Sequence, residues 1–188
     1  MFFLQLIISY VIGMIPFGQI YAYILGAGNL RTQGSGNIGA TNAYRVGGKL
    51  LGFLTLMSDI AKGFLPVFFF SHEWVPLFVV MGHIQFPFFT GGKGIATGLG
   101  VVFAINPWLG LSLSLIWILT LITFRISAVA GLVTFLSFPI IGYFFNMNVI
   151  MMSLISIIIV FAHRSNIIQM MRKNNEEDDE DELSATTT

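Results

Sequence analysis

Between Arg31 and Arg45 the chain reads Arg31-Thr32-Gln33-Gly34-Ser35-Gly36-Asn37-Ile38-Gly39-Ala40-Thr41-Asn42-Ala43-Tyr44-Arg45. Glycines let successive backbone N–H groups converge on an anion; Ser35, Asn37, Thr41 and Asn42 add side-chain donors, and the forked guanidinium of Arg45 suits phosphate oxygens. The spacing Gly34-x-Gly36-x-x-Gly39 formally matches a dinucleotide-binding turn, but that pattern has meaning only between a strand and a helix. Here it follows a charge-free apolar stretch, and only the anion chemistry survives. A second cluster runs from Gly82-His83 through Phe86-Pro87 to Thr90-Gly91-Gly92-Lys93-Gly94-Ile95-Ala96-Thr97. It has neither the glycine spacing nor the following hydroxyl of a Walker A loop. Gly91 to Gly94 instead opens a helix whose free N–H groups and positive dipole end favour an anion beside Lys93. The plainer readings are a polar connector for the first cluster and a topology-setting lysine for the second. The density of glycine and hydroxyl or amide donors around Ser35 exceeds what a connector requires.

Three further groups carry candidate chemistry. Asp59 and Lys62 are three residues apart, hence on one helical face, and read as a buried structural pair. His83 alone reads as an interhelical hydrogen-bonding residue. His163-Arg164-Ser165-Asn166-Ile167 reads as a boundary segment with a basic anchor, and Arg125-Ile126-Ser127 joins it at the same predicted level. The chain has no cysteine, which removes disulfides and thiolate chemistry. No metal-ligating pattern, cofactor motif or nucleic-acid signature is present, and none of these partners is expected.

The elements that must position these residues are set by composition. Of 188 residues, 55% are hydrophobic and only 10% charged, with nine Lys+Arg against nine Asp+Glu. Soluble domains carry about 25% charged residues, so an ordinary cytosolic enzyme is excluded and a polytopic, all-α membrane protein is implied. The zero net charge has two unrelated parts. Seven acidic residues form one run, Glu176 to Glu182, and the rest of the chain sets nine basic residues against Asp59 and Glu73.

Apolar stretches predict spans over Phe2–Leu25, Lys49–Phe70 and Trp74–Phe89. Gly94 to Phe124 is charge-free over 31 residues, too long for one crossing, and divides at Asn106-Pro107. Ile126 to His163 divides near Asn146-Met147-Asn148. About seven spans result. Their connections place Arg31, Arg45, Lys49, Lys93, Arg125, Arg164, Arg172 and Lys173 on one side, which predicts an outside N-terminus and a cytoplasmic C-terminus. Residues 1–167 are expected to form a single membrane domain and 168–188 a disordered acidic cytoplasmic tail.

These motifs, Gly34-Ser35-Gly36-Asn37-Ile38-Gly39-Ala40-Thr41-Asn42-x-x-Arg45, Asp59-x-x-Lys62-Gly63-x-x-Pro66, Gly82-His83 with Pro87 and Gly91-Gly92-Lys93-Gly94-x-Ala96-Thr97, and His163-Arg164-x-Asn166-Ile167, resemble the bacterial acyl-phosphate-dependent glycerol-3-phosphate acyltransferases. The resemblance covers Ser9 to Ile167. It implies a multi-pass enzyme of the bacterial inner membrane that moves a fatty acyl group from acyl phosphate to the sn-1 hydroxyl of glycerol 3-phosphate. Lysophosphatidic acid and phosphate are the implied products, in phospholipid synthesis. It further implies Ser35, Thr41, Arg45, His83, Lys93, His163 and Asn166 as site residues, with Gly91, Gly92 and Gly94 as backbone contacts to the acceptor phosphate. The local chemistry of the loops adds Gly36, Asn37, Asn42 and Ser127 as substrate-binding candidates, and His83 and His163 are the candidate bases. The chain departs from the family at Asn29-Leu30, at Thr90, where a lysine is usual, and at Gln169. It also lacks the family's closing glycine and glutamate in register, which leaves Glu176 as the nearest substitute. The competing class is a transporter of a phosphorylated metabolite, which the intramembrane Asp59 and Lys62 and the broken spans would fit.

Overall fold

The structure, a computed structural model, describes residues 2–172, and among these there are helices and no strands. The helices are α1 Phe2–Met14, α2 Phe17–Ile24, α3 Ala40–Phe69, α4 Val75–Ile84, α5 Ile95–Ile105, α6 Pro107–Phe124, α7 Ser127–Phe144 and α8 Val149–Ala162. A ninth, α9 Arg164–Arg172, is bent by 50° from α8. It carries helix past the predicted boundary at residue 167; Lys173 and the run Glu176 to Glu182 lie outside the described residues.

Four segments are long and apolar enough to cross a membrane: Phe2–Ile24, Ala40–Phe69, Pro107–Phe124 and Ser127–Phe144. The bent pair of α8 and α9 adds a fifth if the two helices together form one span. The difference from seven lies in α4 and α5, of 10 and 11 residues, about 15–17 Å long at ~1.5 Å per residue. Eight of the ten α4 residues are buried, whereas α6 buries only Leu109, Gly110 and Leu113. Hydropathy scores both helices alike, yet α4 is apolar because it is protein core and α6 because it faces lipid. Leu115, Ile118, Leu119 and Ile122 of α6, with Leu136 and Ile140 of α7, are exposed, as a lipid-facing surface requires.

The predicted breaks at Asn106-Pro107 and Asn146–Asn148 are present. Asn106 caps α6 through Trp108 and Leu109 N–H, and Asn148 caps α8 through Met151 N–H. The first predicted span is broken at Ile15-Pro16. Because the helix stops there, the Ile15 carbonyl lacks its helical partner, and Lys62 Nζ donates to it at 2.8 Å while pairing with Asp59 at 2.9 Å. Asp59 and Lys62 are thus the buried structural pair the sequence implies.

α3 and α5 cross where a side chain at Gly63 would press on the Thr97 carbonyl and one at Gly100 on the Ile60 carbonyl. Small residues allow such backbone contact. Since the obstacle at Gly100 is backbone, Gly100→Ala is expected to destabilise the protein by about 1–3 kcal/mol, read as a lower melting temperature in detergent.

Candidate active site

On one side of this crossing the helices part around a cleft of about 700 Å³, reached by residues from α3, α4, α5, α6, α7, α9 and the connections between them. Ser35, Asn37, Thr41, Asn42, Arg45, Lys93, Gly94, Ser127, His83, His163 and Asn166 all line it. Gly91 and Gly92 stand directly behind, their N–H groups bonded to the carbonyls of Ile84 and His83. Gly36, at φ 71° in the turn after Ser35, does not line the cleft; the other residues chosen from four separated motifs meet in one place. The connections of the opposite face, at Phe70–Glu73, Ile105 and Met147–Asn148, gather around a second, smaller cavity.

The first motif is not all loop. α3 begins at Ala40, so Thr41, Asn42 and Arg45 stand on its first turns, and a left-handed Gly48 (φ 79°) separates that stretch from the rest of the helix. Asn42 is buried, and its amide is spent on the loop. Oδ1 accepts from Ser35 N–H at 2.8 Å, and Nδ2 faces the carbonyls of Leu30, Gln33 and Asn37 at 3.2, 3.0 and 2.8 Å. It therefore organises the loop instead of presenting donors to a ligand. Asn37 Oδ1 likewise accepts from Gly39 N–H.

Three helices begin at this cleft, α3 after Gly39, α5 after Gly94 and α7 after Ile126, and none has a side-chain cap. At the opposite face α6 and α8 are capped by asparagines. An uncapped first turn leaves N–H groups without partners at the positive end of the helix dipole. Three such ends, with Arg45, Lys49, Lys93 and Arg125, make the cleft a strong anion site. Burial pushes the Lys93 ammonium below the usual lysine range, and a bound anion would raise it again. Lys93 contacts Asn166 Oδ1, tying the turn to α9.

The two histidines differ. His83 Nδ1 has no hydrogen-bond partner and faces Asp59 Oδ1 at 3.8 Å, while Nε2 backs onto Gly92. A Cβ at Gly92 would enter the imidazole ring, so His83 is a wedge beneath the Gly91–Gly94 turn. His163 Nδ1 lies 2.8 Å from the Ile159 carbonyl. A carbonyl only accepts, so Nδ1 carries the proton and Nε2 holds the lone pair, the tautomer a base needs.

Several lining residues escaped sequence reasoning. Tyr44, Phe53, Leu56, Leu99, Trp117 and Leu121 extend the polar end into an apolar trough; only helix packing brings α3, α5 and α6 together there. Arg31, read as a topology signal, donates to the Thr90 carbonyl and joins the two glycine-rich connections. Among the described residues no group of three His, Cys, Asp or Glu could hold a metal.

Residues 3–173 match the family model described as glycerol-3-phosphate acyltransferase. Among curated relatives, the glycerol-3-phosphate acyltransferase of Erythrobacter litoralis is 40% identical over 172 residues, covering 86% of this chain and 87% of its own. That of Pelagibacter ubique is 40% identical over 169 residues, covering 85% and 88%. Two crystal structures of PlsY (YgiH), an integral membrane glycerol 3-phosphate acyltransferase, are also similar. The glycerol 3-phosphate form superposes with a TM-score of 0.83 at 34% identity, and the lysophosphatidic acid form with 0.79 at 33%. Both comparisons cover 91% of this chain and 92% of the other.

Proposed function

The chain belongs to the glycerol-3-phosphate acyltransferase family, and from that premise we propose how its cleft carries out the reaction. It is a multi-pass membrane acyltransferase, and the transporter reading falls away. Its acceptor is glycerol 3-phosphate, attacked through the sn-1 hydroxyl, and its donor is an acyl phosphate. The observation that carries this reading is the convergence of three uncapped helix N-termini with Arg45 and Lys93 at the head of an apolar trough. Two phosphates and one acyl chain need that combination. The basic connections lie on the cytoplasmic face, and the membrane is the bacterial inner membrane.

An acyl phosphate is a mixed anhydride with a good leaving group. The glycerol hydroxyl adds to the carbonyl carbon, the new ester C–O bond forms, and the bond to phosphate breaks with its electron pair leaving on phosphate. The products are lysophosphatidic acid and inorganic phosphate. The hydroxyl proton has two acceptors, His163 Nε2 and an oxygen of the departing phosphate. His83, walled in by Asp59 and Gly92, supports the turn instead. No acyl-enzyme is required. The cleft contributes mainly by holding two mutually repelling phosphates in line and by offsetting the charge that develops on them. Lys93 and Asn166, with the turn at Gly94, hold the acceptor phosphate; Gly91 and Gly92, whose N–H groups are spent on the Ile84 and His83 carbonyls, shape that turn from behind, and Ser35, Thr41, Arg45 and Ser127 hold the donor.

The test is purified protein in lipid, supplied with glycerol 3-phosphate and one of acyl phosphate, acyl-CoA or acyl carrier protein. Lysophosphatidic acid and phosphate should appear with acyl phosphate. Product from acyl-CoA alone would overturn the donor assignment, and an acylated serine trapped during turnover would overturn direct transfer.

Gly92→Ala tests the wedge. It forces either His83 or the turn to move and is expected to raise KM for glycerol 3-phosphate on the order of tenfold, with a smaller change in KM for the donor.

A further inference from the structure

We propose that Asn42 is a positioning residue that shapes the 30–37 loop for the donor phosphate; the inference rests on the reading of the cleft given above. Its side chain is 2% exposed and reaches four backbone groups from Leu30 to Asn37. A carboxamide has two N–H hydrogens and one carbonyl oxygen, so the loop is wrapped around a single side chain whose hydrogen-bonding groups are already engaged. Two consequences follow for an anion site. Three loop carbonyl oxygens share the two amide hydrogens and do not meet an incoming phosphate. Ser35, whose N–H is held by Oδ1, keeps a fixed backbone from which its hydroxyl projects into the cleft.

Gly34 shows how close the fit is. It is left-handed (φ 58°), and a Cβ there would run into Asn42 Oδ1 and lie 3.4 Å from Arg45 Cδ. The amide, the glycine and the arginine stem therefore pack as one unit, and the conformation of the loop and the course of Arg45 depend on the same contact. Buried networks of this kind are coupled, so removing one member moves the others.

The experiment compares wild type, Ser35→Ala, Asn42→Ala and the double variant as full-length protein in lipid, varying each substrate. Asn42→Ala is expected to lower kcat/KM for acyl phosphate on the order of tenfold to 100-fold, with KM for glycerol 3-phosphate within about twofold of wild type. The double variant should lose no more than the worse single one, because Asn42 acts through Ser35 and its loop. Asn42→Asp, which keeps the acceptor for Ser35 N–H but loses the donors to the three carbonyls, should show the same selective loss. It serves if the alanine variant does not fold. Asn148→Ala, which removes a cap at the opposite face, should lower the melting temperature and leave both KM values alone. Wild-type kinetics in Asn42→Ala or Asn42→Asp, losses that multiply in the double variant, or equal losses toward both substrates would overturn the proposal. An inactive wild type would instead overturn the reading of the cleft.

Discussion

Arg45→Lys is expected to lower kcat/KM for acyl phosphate by roughly 10²-fold, and Arg45→Ala by 10²–10³-fold, with the melting temperature unchanged. The stability side follows from position. Arg45 stands on the first turns of α3, largely exposed at the cleft, and its side chain crosses Gly34 instead of filling the core. The activity side follows from geometry. A guanidinium offers parallel N–H donors to two phosphate oxygens, and those bonds tighten as charge builds on the leaving phosphate; an ammonium at the end of a flexible stem supplies charge without the fork. Phosphate release measured against both substrates decides the matter. A lysine variant with near wild-type kcat/KM would show that charge alone suffices and that Arg45 is not a bidentate ligand.

Lys62→Met is expected to destabilise the protein by about 3–5 kcal/mol, the cost of leaving one member of a buried ion pair alone. Lys62 and Asp59 are 4% and 3% exposed, so neither can recover its partner from solvent. The loss has two parts. Asp59 would stand uncompensated beside His83, and the Ile15 carbonyl at the break between α1 and α2 would keep the Phe17 N–H but lose the charged donor. Asp59→Asn with Lys62→Met should recover much of the stability, since the uncompensated charge is then gone. Thermal unfolding in a fixed detergent reads both variants. If Lys62→Met melts with wild type, the pair contributes nothing to stability and its retention has another cause.

Much of this protein was legible in its sequence because its strongest signals are local. Asn106 and Asn148 break the apolar stretches where they stand, since an asparagine before a helix caps it. Asp59 and Lys62 are paired because three residues along a helix is a fixed geometry. The glycine-rich segments, Arg45 and Lys93 were recognisable as anion chemistry from residue type alone. Less legible was how each candidate is used. Asn42 looks like a substrate donor until its amide is seen spent on Ser35, Leu30, Gln33 and Asn37. His83 looks like a base until Gly92 and Asp59 enclose it. Thr41 and Arg45 read as loop residues, because nothing local announces that α3 starts at Ala40 without a capping side chain.

What the sequence determined by itself is that the chain lives in a membrane, where its apolar stretches stop, and which residue types face phosphate chemistry. Hydropathy measures transfer out of water, so it reports low-dielectric surroundings and not their identity. Only the tertiary structure decided that α4 and α5 are buried short helices while α6 meets lipid. It also brought the uncapped ends of α3, α5 and α7 to one cleft and so turned scattered donors into a site. Hydrogen-bond partners and helix ends are properties of neighbours in space, and those neighbours can lie far apart in the chain, 73 residues in the case of Lys93 and Asn166.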